Sequence, residues 1–412
     1  MREMKDSGVA WIGEIPEEWI IQTVKNYFLI TRGRVIAKTE IEDEELDNYY
    51  PVYSSQTKNN GCLGYIPEFD FECDSLTWTT DGANAGTVFI RQGKYSITNV
   101  CGILLPKNNN FCLKYAHYSI GYSAMHSRRA DINGYKIMSN EMATIPFVFP
   151  SLSEQQKIAA YLDQKCTQID ALIANQQKQI EKLKAYKQSL ITETVTKGLN
   201  PDVPMKDSGV EWIGEIPKDF SVQNIRSLFT IKKDIIGHEP DTVLSITRSG
   251  IKIKDISENN GQMADSYANY QIVNIGDFAM NHMDLLTGGI GISQYNGVTS
   301  PDYRVFNLKD NKMNPRYFLY IFETYYRNKI FYAFGQGAAN LGRWRLPAKN
   351  FYSIYIPVAP IEEQQAIVSY LDQKCTQIDN LIAIKQKKIE KLQQYKKSVI
   401  YEYVTGKKTI DN

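Results

Sequence analysis

The chain repeats itself in two places, and this constrains its fold more than any other feature. Met4–Pro16 reads MKDSGVAWIGEIP and Met205–Pro217 reads MKDSGVEWIGEIP, a single difference. Tyr161–Asp170 reads YLDQKCTQID and returns unchanged at Tyr370–Asp379, with similarity continuing to Val195 and Val404. The first pair is offset by 201 positions and the second by eight more, so the stretch between the two repeats is eight residues longer in the second copy, its inserts falling at roughly 20–145 and 220–357. Those inserts look little alike. A duplicated frame with divergent inserts implies two related tasks on two different targets. In order, the chain reads as a repeat segment (1–19), a globular region (20–149), a long helix (150–198), a second repeat segment (199–219), a second globular region (220–358) and a second long helix with its tail (359–412).

Glu, Gln, Lys, Leu, Ile and Ala dominate both long-helix segments, which lack internal Pro and Gly. Ser151 and Glu154 have capping-box spacing; the second copy places Pro360 there, with Glu362 and Glu363 in the first turn. Apolar residues recur at heptad spacing. The seam is carried by Leu162, Ile169, Ile173, Ile180 and Leu183 in one helix and by Leu371, Ile378, Ile382, Ile389 and Leu392 in the other. Cys166 and Cys375 sit in it as small residues. Forty-odd helical residues span roughly 60–65 Å, whereas a region of this size has a radius of gyration of only about 14 Å. A parallel pair would force the second globular region to carry the chain back along that length. An antiparallel pair needs only a local connection, and would place the globular domains at opposite ends of a rod. Identical outward faces would offer two equivalent docking sites, for two copies of one partner. The expected fold class is two mixed α/β domains joined by two long helices in an antiparallel coiled coil, with a pseudo-two-fold internal repeat.

Within the globular regions, Thr87–Ile90 and Tyr95–Ile97 around Gln92-Gly93 read as a hairpin, as do Ile290–Ser293 and Val298–Thr299 around Asn296-Gly297. Pro315–Arg327 reads as a helix. Loops carry polar and basic residues among glycines: Lys58, Asn59, Asn60, Thr79, Thr80, Asn84, Arg128 and Arg129 in the first region, and Arg248, Gln336, Asn340, Arg343 and Arg345 in the second. Arg and Lys suit guanine edges and phosphates, and Asn and Gln suit adenine. Any one of them taken alone is better read as a solvated loop residue. The acidic run from Glu40 to Glu45 with Asp47 reads as a solvated face, or one facing a basic partner, rather than a DNA surface.

Lys and Arg number 47 against 46 acids. A solitary DNA binder is usually more basic, so near-neutrality counts mildly against one, though not against a DNA reader whose partners supply part of the phosphate contact. The six cysteines form no Cys-x-x-Cys pair, and the four histidines are scattered, so no metal site is expected. The opening Met1–Asp6 lacks a signal-peptide pattern and no long uncharged apolar run occurs, so the expectation is a cytoplasmic protein with reduced thiols and no membrane contact. Catalytic motifs are missing. Gly93-Lys94 and Gly406-Lys407 lack the rest of a phosphate-binding loop; Glu3-x-Lys5 has no upstream acid; Asn314-Pro315-Arg316-Tyr317 has Arg where a methyltransferase tetrapeptide needs a second Pro.

The run entering each helix is Ile145-Pro146 through Pro150-Ser151-Leu152-Ser153-Glu154-Gln155-Gln156, and Ile356-Pro357 through Pro360-Ile361-Glu362-Glu363-Gln364-Gln365. With Gly8–Pro16 and its copy, it resembles the specificity subunits of Type I restriction-modification systems, and the resemblance covers essentially the whole chain. Ser151 replaces a common second proline, and Ile361 replaces leucine. The resemblance implies a non-catalytic subunit with no cofactor of its own. It implies two target-recognition domains, each reading half of a split site in double-stranded DNA. It also implies two methyltransferase subunits on the helical spacer, which use S-adenosylmethionine, and ATP-driven restriction subunits. A coiled-coil scaffold joining two protein-binding domains fits the composition and heptads too; a neighbouring adenine methyltransferase gene would discriminate.

Overall fold

The computed structural model describes residues 2–132, 134–255, 264–337 and 344–410. It forms two compact units whose boundary cuts through both long helices: Met1–Gln177 with Gln386–Asn412, and Lys178–Lys385. Each unit therefore contains one repeat segment, one globular domain, and part of each helix.

The helices run unbroken over Leu152–Lys197 and Ile361–Val404. Ser151 and Glu154 form the reciprocal cap: the Glu154 carboxylate accepts from the Ser151 N–H at 3.2 Å, and the Ser151 hydroxyl accepts from the Glu154 N–H at 3.4 Å. Gly198 and Gly406 end the helices at φ of 74° and 73°. At Gly406 a Cβ would also meet Pro16 at 2.5 Å, so only glycine fits.

Within the first unit the helices pack antiparallel: the Tyr161 ring packs at a tilt against that of Tyr403, and further along Asp170 pairs with Lys396 at 2.7 Å. The second unit repeats this, Gln179 accepting from Lys385 and Asp379 pairing with Lys187 at 2.7 Å. Leu162, Ile169, Ile180, Leu371, Ile378 and Ile389 are buried, and Ile173, Leu183, Ile382 and Leu392 are half-buried. The lysines that interrupt the heptads lay their stems along the seam and carry their charge to an acceptor on the facing helix.

The repeat segments are short hairpins, Met4–Asp6 with Glu14–Pro16 and Met205–Asp207 with Glu215–Pro217. Each packs on a helix end: Ile12, Ile15 and Trp19 share a core with Val399 and Val404, and Ile213, Ile216 and Phe220 with Ile191 and Val195.

The globular domains share a topology that their sequences hide. In the first, a four-stranded sheet runs Val88–Arg91, Ser75–Thr79, Cys101–Pro106, Phe28–Arg32; in the second the same order is Ile290–Ile292, Phe278–Met280, Arg304–Leu308, Phe229–Lys232. The second sheet is Cys62–Ile66, Tyr50–Tyr53, Lys94–Ile97, Phe71–Glu72, its middle pair parallel. Its counterpart is made of two pairs, Gly250–Ile253 with Leu244–Thr247 and Gly297–Thr299 with Gln271–Val273, joined by a parallel bridge from Val243 to Val298.

Both hairpins expected from the sequence are corrected. Val88–Arg91 pairs with Ser75–Thr79, whereas Lys94–Ile97 pairs with Tyr50–Tyr53 and Phe71–Glu72. Likewise Ile290–Ile292 pairs with Phe278–Met280, and Gly297–Thr299 with Gln271–Val273. The Gln92-Gly93 and Asn296-Gly297 turns are corners where the chain changes sheet. Both strands of each presumed hairpin have another edge to satisfy, and alternation does not specify which edge a strand joins. Pro315–Arg327 is the expected helix, capped by Asn314, whose side chain accepts from Arg316. Its counterpart Leu113–Ser127 was not anticipated, because its buried face is built of Tyr, Ala and Ser as much as of aliphatic residues.

Candidate nucleic-acid interface

In the first domain the connection between Tyr50–Tyr53 and Cys62–Ile66 projects an exposed tip, Lys58-Asn59-Asn60, ending on buried Gly61. Asn59, Asn60 and Gly61 are all left-handed, at φ of 48°, 52° and 82°. Beside it lies the loop Asp81–Gly86, joined to the tip by a bond from the Asn84 carboxamide to Thr57 at 3.4 Å. Arg128 supports that loop from beneath, donating to the carbonyls of Ala83 and Ala85 at 3.3 and 3.2 Å while its guanidinium stacks on Tyr135.

The second domain builds the same arrangement from different residues. The matching connection has shrunk to a tight turn whose exposed corner is Arg248-Ser249, between Leu244–Thr247 and Gly250–Ile253. The adjoining loop is Asp284–Gly289, and Arg248 reaches it with a bond from Nε to the Thr287 carbonyl at 2.9 Å. Burial pushes the Asp284 carboxyl up, but bonds from Thr287 and the Leu286 amide outweigh this and hold it below its usual value. Tyr326 takes the supporting role of Arg128, its hydroxyl donating to the carbonyls of Asn281 and Asp284.

In both domains a cleft runs beside this loop pair towards the long helices. The first, about 940 Å³, is lined by Asn60, Arg128, His117 and Lys396 among others; the second, about 790 Å³, by Arg248, Arg327, Arg316 and Lys187. Its walls repeat as well. Tyr118 donates to Asp163 at 2.9 Å in one, and Tyr320 donates to Asp372 at 2.5 Å in the other. Burial raises Glu323 above its ordinary carboxylate value in the second cleft, where Arg327 pairs with it at 3.4 Å.

The residues singled out from the sequence divide sharply. Lys58, Asn59, Asn60, Asn84 and Arg248 stand exposed on the paired loops. Thr79 and Thr80 do not: both are fully buried, the Thr79 hydroxyl donating to the Asn84 carbonyl and that of Thr80 to Asp81 and Val100. They shape the loop from inside and have no free face for a nucleic acid. Arg128 is a loop support, and Arg129 is paired with Glu141 at 2.7 Å. Gln336 and Arg345 are exposed and joined by two backbone bonds. Asn340 and Arg343, between them, lie outside the described residues. The sequence does not single out Arg327, which lines the second cleft: it ends a helix, and nothing in its spacing distinguishes it from an ordinary surface cation.

Residues 16–182 and 217–394 match the family described as Type I restriction modification DNA specificity domain. A putative type I specificity subunit of Mycoplasma pneumoniae is 41% identical over 140 residues, 34% of this chain and 74% of that one. The MpnII specificity subunit of the same organism is 39% identical over 139 residues, 34% of this chain and 41% of that one. The MjaVIII specificity subunit of Methanocaldococcus jannaschii is 26% identical over 424 residues, 97% of this chain and 95% of that one. A chain from a solved structure of the type I R-M system matches in fold with a TM-score of 0.65 at 11% identity, over 95% of this chain and 99% of that one. The two matched stretches take in both globular domains and most of both long helices, and on that ground the chain belongs to the Type I restriction-modification DNA specificity family.

Proposed function

We propose that this chain is the non-catalytic DNA-reading subunit of a cytoplasmic restriction-modification assembly. Each globular domain reads one half of a bipartite site in double-stranded DNA. The observation that carries this reading is the repeated loop pair: equivalent strands in both units present an exposed connection beside a second loop, bearing amides and a lysine in one and an arginine in the other. A shared platform with different side chains is what reading two different half-sites requires. The antiparallel helices dock two methyltransferase subunits, whose S-adenosylmethionine supplies the methyl group, and ATP-dependent restriction subunits join the same assembly. Net charge of +1 suits this division, because the partners contribute phosphate contacts.

The test is methylome sequencing of a host expressing this chain with its modification subunit. A bipartite adenine-methylated motif with an unread gap of constant length is the expected result. A continuous motif, or none, would overturn the reading.

A further inference from the structure

Arg91 is 1% exposed, and no carboxylate pairs with it among the described residues. Its guanidinium lies 3.6 Å from the centre of the Tyr53 ring and 4.6 Å from that of Phe89. Nε donates to Thr77 at 2.9 Å, and Nη1 donates to the Asn60 carbonyl at 2.7 Å. Among the described residues Nη2 has no hydrogen-bond partner; it points at Gly61, where a Cβ would meet it at 2.8 Å. Burying an arginine without an acid is unfavourable, so what it holds in place matters.

What it holds is the exposed tip. Two consecutive non-glycine residues in the left-handed region, followed by a left-handed glycine, are an unfavourable backbone that persists only when the surroundings over-determine it. Three contacts do so: Nη1 of Arg91 on the Asn60 carbonyl, the Ser54 N–H on the Gly61 carbonyl at 3.0 Å, and the Gln56 carboxamide on the Cys62 carbonyl. Asparagine tolerates this conformation better than other side-chain-bearing residues. Among the described residues the carboxamides of Asn59 and Asn60 have no partner, and both side chains are exposed.

We infer that the Lys58-Asn59-Asn60 tip is the base-reading element of the first domain, that its asparagines recognise adenine in the first half-site, and that Arg91 is the positioning residue that locks it from within the fold. This rests on the DNA-reading function proposed above. A carboxamide accepts from adenine N6 and donates to N7 in the major groove, and this needs the side chain held in one orientation. A tip already locked in the free protein gains discrimination because little ordering is left to do on binding. The second domain needs no such lock, since its two-residue turn is fixed by its own hairpin register.

The test uses the full-length chain expressed with its modification subunits and reads the methylated motif. Asn59→Gly/Asn60→Gly removes both side chains with their carboxamides at positions whose left-handed backbone glycine adopts without strain. Discrimination at an adenine of the first half-site should fall at least tenfold, with the second half-site and the thermal midpoint of the chain preserved. Arg91→Lys keeps the charge but loses the grip. It should degrade the first half-site while the second stays intact, whereas a merely structural Arg91 would lower methylation at all sites in proportion and leave the motif unchanged. An unchanged motif in the double-glycine variant overturns the tip as reader; a relaxed motif there with an unchanged one in Arg91→Lys overturns Arg91 alone. If Arg91→Lys does not fold, the double-glycine variant still decides. Failure of the wild-type assembly to methylate a bipartite motif would instead overturn the function on which this inference rests.

Discussion

Tyr115 donates its phenolic hydrogen towards the carbonyl of Val404, 3.2 Å away and 289 residues later in the chain. The same hydroxyl lies 3.0 Å from the Val148 carbonyl, so one fully buried side chain ties the domain helix to the strand entering the first long helix and to the end of the second. Tyr317 does the equivalent in the other unit, at 3.2 Å from both Val195 and Pro357. Tyr115→Phe or Tyr317→Phe removes the shared hydroxyl, leaving the Val148 carbonyl its bond from Ser119 at 3.3 Å, and should cost about 1–2 kcal/mol, and Tyr→Ala about 3–5 kcal/mol. Denaturant unfolding of the full chain checks both, and equal stability of wild type and Phe variants would refute the tie.

The seam gives a graded prediction. Ile173 and Ile382 are the central positions expected from the heptads, but both are half-buried, so a lysine there can lead its charge out to water. Ile169 and Ile378 are 4% and 5% exposed. Ile169→Lys with Ile378→Lys should cost several kcal/mol and abolish assembly with modification subunits, while Ile173→Lys with Ile382→Lys should weaken it less. Co-purification measures the order, and a reversed order would mean the seam faces elsewhere.

Burial lowers His117 to about 4 and His282 to about 3. Each has an enclosed Nδ1 with no hydrogen-bond partner among the described residues. An unfolded histidine titrates near 6.5, so on acidification the unfolded state takes up the proton first. The contribution to stability is therefore complete above about pH 6.5 and declines as the pH falls through the folded values, by at most roughly 3–5 kcal/mol for each histidine. Replacing both with Phe should flatten the fall in thermal midpoint between about pH 6.5 and about pH 4. An unaltered acid limb would show that neither ring is held neutral.

Exchanging residues 20–145 for the equivalent region of a relative should change one half-site only, because the joints that receive the domain are nearly identical in the two units. Adding a heptad to both helices should alter the unread gap by the length it adds, about 10 Å, and leave the half-sites intact. Methylome sequencing reads both, and simultaneous change of both half-sites in the exchange would defeat the two-reader scheme.

Purified alone, the chain should neither transfer methyl groups nor cleave DNA, as no reactive constellation was found in its sequence. Labelled S-adenosylmethionine with unmodified plasmid is the assay, and methylation without a partner would refute the prediction.

The sequence alone was enough for the frame. An almost perfect internal repeat, heptads without Pro or Gly and a Ser-x-x-Glu cap specify helices by local periodicity, and chain length against helix length makes the antiparallel pairing the economical one. All of these are short-range signals or simple lengths. What the domains do with their strands was decided by tertiary structure. Val88–Arg91 and Lys94–Ile97 alternate as a hairpin would, yet each finds a better edge in a different sheet. The kinship of the Lys58 tip with the Arg248 turn was invisible because the two connections differ in length, and only strand order reveals them as equivalents. Thr79 and Thr80 look like loop hydroxyls but face the interior, and Arg91 looks like a surface cation but is the buried support of the tip. Burial depends on which long-range partners close over a residue, and no local pattern encodes that.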